Sequence, residues 1–248
     1  MKVICMKKSA VAFKPGFESL KMPCLIPARG GSKTIPRKNL RELDGKPLIL
    51  HTIDFAIKSG LFSGVYVSSD DAEILELAKK AGARAIERPA EFAKDTSLMK
   101  EVVEHWLGLL RQDGKYPLAF ALLMPTTPFR RREDVAKAIG ILRTDPRCDS
   151  VFGVFEAKDP PFWTLVDDGT GLLRALYPDK YYARHQDLPK AYFGGPFYLI
   201  ETAAYEQLKR FITDKTRYVV VGGEFSIEID DEMDFKWAEF WARERRKK

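Results

Sequence analysis

The sequence predicts an α/β fold, and three observations carry that prediction. From Met22 onward, short apolar runs alternate with amphipathic stretches, the pattern of βαβ units. The first apolar run leads directly into a paired-glycine loop at Gly30-Gly31. Leu118–Met124 is apolar at every position, as expected for a central strand covered on both faces. At 248 residues, 45% hydrophobic and 31% charged, the chain can bury one sizeable core. No stretch approaches the roughly 18–20 consecutive apolar residues that a membrane span needs.

The elements follow in order. Met1–Lys21 is basic with a short apolar run at Val11-Ala12-Phe13 and no small-residue cleavage site. It reads as a loosely ordered extension rather than a leader, with Met22 as a candidate functional start. Residues 22–248 read as a single domain. Cys24-Leu25-Ile26 is the first strand. Pro47–Ser59 carries Leu48, Ile49, Thr52, Ile53, Ala56 and Ile57 at helical spacing and stops at Gly60. Val65-Tyr66-Val67 is the second strand. Asp70 or Asp71 then caps a helix with Ile74, Leu77, Ala78 and Ala81 on one face, ended by Gly82.

Ala83–Ile86 is a short strand, and Asp95–Arg111 a helix expected to bury Leu98, Val102, Val103, Trp106 and Leu110. The apolar strand ends at Pro125 and the turn Thr126-Thr127-Pro128. A helix over Glu133–Leu142 and a strand over Ser150–Phe155 come next. From about 156 to 190 the rhythm breaks: Pro160, Pro161, Pro178 and Pro189 sit among aromatics with no convincing helix. An insertion packed on a partner subunit, or a lid over substrate, has this form. Regularity returns with Phe197–Ile200, a helix near Thr202–Phe211, and strands at Tyr218–Val221 and Ser226–Ile229. The last helix carries Met233, Trp237, Phe240 and Trp241 on one stripe.

Composition excludes some chemistries. Cys5, Cys24 and Cys148 are an odd, scattered set without CxxC spacing, so neither a disulfide framework nor a zinc site is expected, and a reducing, cytoplasmic compartment fits. The net charge is +6, partly from the tail Arg243-Glu244-Arg245-Arg246-Lys247-Lys248. No aromatic–basic stripe or helix-turn-helix spacing accompanies it, so an anionic small molecule is preferred to nucleic acid. His51 and His105 fall within helices, His185 falls in the irregular segment, and none has metal-pair spacing.

The chemistry points to Pro27–Asn39. Backbone that can turn sharply brings N–H groups near an anion, and Arg29, Lys33, Arg37 and Lys38 lie within one short stretch. That density suits a triphosphate leaving water. The loop matches neither GxxxxGK[ST] nor GxGxxG. The second feature is Glu228-Ile229-Asp230. In extended chain, residues two apart share a face, so two carboxylates would stand side by side. Hard oxygen ligands of this kind suit Mg²⁺ shared with phosphates. Helix capping by Asp231, with Asp230 on the metal, is expected alongside.

Pro27–Asn39 resembles the signature of the CMP-sialic acid synthetases and their relatives that activate 3-deoxy-octulosonic, pseudaminic and legionaminic acids. The likeness continues in order through Asp44–Leu48, Val67–Asp71, Arg88–Glu91, Pro125–Arg130, Arg184–Pro189 and Ser226–Asp230. It implies a doubly wound, mostly parallel sheet flanked by helices, as in nucleotide-diphospho-sugar transferases, with a small dimerisation insertion at about 156–193. It also implies a homodimer that transfers CMP from CTP to an acidic sugar. Arg29, Gly30, Gly31, Ser32, Lys33 and Asn39 would hold phosphates and cytidine, completed by Arg88 and Ser97. Arg184 and Gln186 would face the sugar acid, Glu228 and Asp230 would bind Mg²⁺, and Arg29, Lys33 and Arg184 would act on the reacting groups.

The chain departs from that pattern at Thr34 (often glycine), Met124 (commonly glutamine), Gly194 (asparagine in sialate-specific relatives) and Glu228 (more often aspartate). These leave the reaction type intact and the sugar open. The competing readings are a transferase of another nucleotide, a catalytically degenerate nucleotide-binding relative and, weakest, a nucleic-acid binder.

Overall fold

A computed structural model describes residues 12–94 and 96–247. Its strands are β1 (Cys24–Pro27), β2 (Glu42–Leu43), β3 (Lys46–Pro47), β4 (Val65–Ser69), β5 (Arg84–Glu87), β6 (Ala119–Leu123), β7 (Ser150–Glu156), β8 (Leu165–Asp167), β9 (Leu173–Ala175), β10 (Tyr192–Glu201) and β11 (Thr216–Val220). The helices are α1 (Leu48–Lys58), α2 (Ala72–Lys80), α3 (Met99–Gln112), α4 (Arg132–Thr144), the single turn α5 (Pro178–Tyr181), α6 (Thr202–Leu208) and α7 (Glu232–Arg246).

Seven strands form one sheet in the order β11-β7-β10-β6-β1-β4-β5. The β1–β4, β1–β6, β4–β5 and β7–β11 pairs are parallel, and β10 alone runs against its neighbours β6 and β7. One face is covered by Ile49 and Ile53 of α1, Ile74 and Ala78 of α2, and Val135 and Leu142 of α4. The other carries Val103, Trp106 and Leu110 of α3 with Tyr205 of α6. The sheet is therefore doubly wound, as the resemblance implied. β6 is buried at every position, which its unbroken apolar run required.

Several boundaries differ from expectation. α3 begins at Met99, and Leu98 is 55% exposed rather than buried, because its backbone is extended and its N–H donates to Glu101 Oε2 at 2.8 Å. Residues 226–229 form no sheet strand. Ser226 ends a 3-10 turn, and Ile227–Asp230 runs extended without a ladder, held by the Ile229 N–H donating to the Thr126 carbonyl at 2.8 Å. The stripe on α7 is mostly turned outward: Phe235, Ala238 and Ala242 are buried and Trp241 packs partly against them, while Met233, Trp237 and Phe240 are exposed.

The loose extension expected over 1–21 lies partly outside the described residues, as does Cys5. Residues 12–21 instead pack on the body. Phe17 is buried, Lys14 Nζ donates to the Cys148 carbonyl at 2.6 Å and pairs with Glu201, and Arg143 Nε donates to the Phe17 carbonyl at 2.9 Å. The irregular segment contains the antiparallel β8–β9 hairpin, α5 and two 3-10 turns. This arm leaves Leu172, Leu173 and Tyr182 to solvent, Tyr182 at 92%.

Candidate active site

The carboxyl ends of β1 and β6 open on a cavity of about 580 Å³, the crevice where open α/β sheets place ligands. β1 delivers Pro27 into its wall and the chain then turns through Arg29–Asn39. Ile35, fully buried beside Leu48 and Phe235, anchors the middle of the loop. Asn39 closes its base by donating Nδ2–H to the Arg29 carbonyl at 2.9 Å. Arg29, Gly31, Ser32, Lys33 and Asn39 line the cavity together with Arg88 and Ser97, which approach from the segment after β5.

The two glycines differ in role. A Cβ on Gly30 would lie 2.8 Å from both Cβ and Oδ2 of Asp71, whereas one on Gly31 would meet nothing within 4 Å. Close approach to the α2 cap therefore requires the first, and the second leaves backbone open to a ligand. The Gly30 amide donates to Asp70 Oδ1 at 3.0 Å, and Asp71 caps α2 through the Glu73 and Ile74 amides. Both aspartates are thus used, one for the loop and one for the helix.

The four cations also separate. Arg37, in left-handed backbone (φ 52°), reaches Asp71 at 3.1 Å and Glu73 at 2.9 Å, and lies outside the cavity lining. Lys38 donates to the Ile229 carbonyl at 2.8 Å and stands 3.7 Å from Asp230 Oδ1. Arg29 and Lys33 line the cavity, as does Lys38, joined by Lys94 from beyond β5. Arg88 is buried and fixed by Ser68, whose carbonyl accepts from Nη2 at 2.7 Å. Burial lowers its pKa, Asp70 opposes that, and Arg29 adds to it.

Asp230 completes the cavity, with its side chain 75% exposed, and Thr34 Oγ1 donates to its carbonyl. Ile227 and Ile229 are buried while Glu228 and Asp230 are exposed, so the period-two alternation survives without a strand. Local desolvation and the neighbouring Asp230 carboxylate push the Glu228 pKa up, against the pull of Lys38. Two carboxylates held together at a cost are a fit donor set for a hard divalent ion. Among the described residues no three His, Cys, Asp or Glu side chains gather as a metal cage, so the remaining ligands would be phosphate oxygens and water.

Arg184 and Gln186 are not brought here. Both lie on the arm, where Arg184 Nε donates to Asp187 Oδ2 at 2.7 Å and Gln186 lines a separate small recess beneath Pro160 and Lys190. Phe92, Lys94 and Arg130 were missed by sequence reasoning. Phe92 follows the Arg88–Glu91 motif directly, the one signal available. Arg130, the last residue of the quoted Pro125–Arg130 motif, is buried. It donates to the carbonyls of Pro196 and Met124 and to the hydroxyls of Thr52 and Thr127, tying the post-β6 turn to α1 and β10.

Fold and cavity define the class: a doubly wound α/β protein of nucleotidyltransferase architecture. A family profile described as cytidylyltransferase matches residues 23–123. The pseudaminic acid cytidylyltransferase of Campylobacter jejuni is 31% identical over 88% of this chain and 95% of its own length. The CMP-N,N'-diacetyllegionaminic acid synthase of Legionella pneumophila is 32% identical over 88% and 94%. The chain belongs to the cytidylyltransferase family. It spans about half the length of the N-acylneuraminate cytidylyltransferase of Streptococcus agalactiae, 32% identical over 87% of this chain and 52% of that protein. A solved CMP:2-keto-3-deoxy-manno-octonic acid synthetase in complex with CTP shares the fold, with a TM-score of 0.65 at 19% identity over 91% of this chain and all of its own.

Proposed function

We propose that the chain transfers CMP from CTP to an acidic 2-keto-3-deoxy sugar of the sialic or nonulosonic type, releasing pyrophosphate. The observation that carries this reading is one cavity lined by Arg29, Lys33 and the open Gly31 backbone together with Asp230. Cations there neutralise the triphosphate as it leaves water. Arg88, Ser97 and Asn39 line the same space and would orient the nucleoside.

Such transfers depend on positioning and charge stabilisation, and no covalent nucleophile is needed. Arg29 and Lys33 hold the phosphates so that the acceptor hydroxyl attacks the α-phosphorus in line with departing pyrophosphate. Glu228 and Asp230 would hold Mg²⁺, which when bound offsets charge on the phosphates. Lys38 keeps Asp230 in place through the Ile229 carbonyl.

The apolar arm supports the remaining expectations. Exposed Leu172, Leu173 and Tyr177 suit burial against a second copy, making the protein a homodimer. Arg184 and Gln186, carried on that arm, would meet the sugar acid only through such an assembly. No described helix is long and apolar enough to cross a membrane. The buried free thiols of Cys24 and Cys148 accord with a cytoplasmic setting.

The test is pyrophosphate release from each of the four NTPs with Mg²⁺ and a panel of sugar acids, with the product identified by mass. CTP should be preferred and a CMP-sugar formed. Preference for ATP, GTP or UTP, or CTP binding with no turnover on any acid, overturns the reading.

A further inference from the structure

The turn after β6 serves two cavities. Met124, Pro125 and Thr126 line the one already described, whereas Pro128, Phe129 and Arg130 line another of about 420 Å³ that shares no residue with it. The remaining walls come from the β2–β3 turn, α1 and the last turns of α7. Asp44 is the one carboxylate among the described lining residues, and Arg246 neutralises it. Lys46 is paired with Asp54, and His51 is uncharged at pH 7 because burial holds its pKa below the usual value. Two guanidinium groups are left without a counter-charge. Arg130 is buried, and its acceptors are the Pro196 and Met124 carbonyls and the Thr52 and Thr127 hydroxyls, all neutral. Its five N–H groups meet those four acceptors, so one Nη1 proton has no acceptor among the described residues. Arg245 lies 5.0 Å from the ring centroids of Phe129 and Phe225 and meets no carboxylate among the described residues.

A buried cation is costly unless an opposite charge meets it. Two uncompensated guanidinium groups on one cavity match a dianion. A phosphomonoester carries a charge of about −1.5 to −2 at pH 7 and presents three acceptor oxygens, a geometry that guanidinium groups fit. A monocarboxylate would balance only one of the two. The cavity is also larger than a bare phosphate requires, and Phe55, Pro128 and Ala242 give it an apolar side. We infer that the cavity between α1 and the carboxyl end of α7 is a second anion site, which takes a phosphomonoester carried on a small organic body and holds it through Arg130 and Arg245. Arg130 is rigidly set by its four acceptors, so its remaining proton is preorganised for a ligand oxygen. Arg245 is exposed and supplies the charge that solvent reaches first. The site stands apart from the cytidylyl-transfer reading and does not depend on it.

The experiment titrates phenyl phosphate and benzoate into the full chain by calorimetry, with CTP and Mg²⁺ held in excess so that the first cavity is filled. Phenyl phosphate should bind saturably at one site, and benzoate at least about tenfold more weakly, the loss expected when one charged hydrogen-bonding partner is missing. Arg245→Ala should weaken phenyl phosphate by about tenfold, and the charge reversal Arg245→Glu should remove saturable binding. Lys79→Glu, the same charge change at an exposed position on α2 outside the cavity, should alter the affinity by less than about twofold. Melting temperatures of the three variants should match wild type, since both positions are exposed. Absence of saturable binding by the wild-type protein, benzoate binding as tightly as phenyl phosphate, or an affinity untouched in both Arg245 variants overturns the inference. An equal loss in Lys79→Glu also overturns it, because the attraction would then belong to the surface as a whole. If CTP itself fails to bind, it is the cytidylyl-transfer reading that has failed, and the Arg245 titrations still decide this one.

Discussion

Gly30 and Asp71 face one another so closely that a methyl group on the glycine would stand 2.8 Å from the aspartate Cβ. The loop and the first turn of α2 are thus one unit, and a side chain at Gly30 must displace either. Gly30→Ala should cost about 1–3 kcal/mol in urea unfolding, the usual range for forced overpacking, and should misplace Arg29 and Lys33. Gly31→Ala is the comparison. Its Cβ enters open space, so stability should stay within about 0.5 kcal/mol while KM for CTP rises.

Lys33 and Asp230 stand on the wall and edge of the cavity, and neither anchors the core. Lys33→Ala and Asp230→Ala should each lower kcat on the order of 10²–10³-fold, as expected for one preorganised charge at a transition state. Melting temperature should be unchanged. Chelation of divalent ions should abolish turnover of the wild-type protein, and added Mg²⁺ should restore it. A variant at either position with wild-type kinetics contradicts the assigned roles.

Arg130 is enclosed, with its guanidinium shared among four acceptors on three parts of the chain. Burial pulls its pKa down to about 9, still above neutral, so it remains a cation. Arg130→Met should destabilise by about 1–3 kcal/mol, because it leaves buried carbonyl and hydroxyl acceptors without their donor. Arg130→Lys should recover little, because an ammonium cannot span the same fork. Equilibrium denaturation measures both.

Glu206 on α6 accepts from Tyr116 and from Arg111 of α3, joining two helices on the same face. The Tyr116 hydrogen bond is the main influence holding its pKa below the usual glutamate value, with Arg111 adding to it, while burial and Glu206 push Tyr116 up to about 12. The folded carboxylate titrates below its unfolded value. Its contribution is therefore present above the ordinary glutamate pKa and lost as pH falls through the depressed one. Glu206→Gln should be less stable than wild type at pH 7, with the difference starting to shrink as pH falls below about 4, near the ordinary carboxylate pKa, and closing only below the depressed value. Spectrophotometric titration of the variant should show one tyrosine returning toward an ordinary pKa.

The sheet and the paired-glycine loop were legible because they rest on local rules. Leu118–Met124 announced a central strand by its apolar run, and Gly30-Gly31 announced a turn. Ser226–Ile229 kept its alternation but formed no ladder, since alternation reports which side is buried and not whether a neighbouring strand exists. The α7 stripe misled for a related reason. Large aromatics at helical spacing outweigh Ala238 and Ala242 in any hydrophobic count, yet it is Phe235, Ala238 and Ala242 that share the buried cluster with Leu43 and Leu48. Arg37 could not be separated from Arg29 by type, because its distinguishing partners, Asp71 and Glu73, lie over thirty positions away. Arg184 and Gln186 were placed by resemblance alone, and one chain does not bring them to the cavity.

β10 emerges from the arm at Tyr192, passes Gly194, and reaches Tyr198 within the same strand, with hydrogen-bonded rungs to β7 on either side of one irregularity. The point where the chain leaves the arm and the Tyr198 ring therefore share one strand, and a disturbance at Tyr192 has a short, hydrogen-bonded path to that ring.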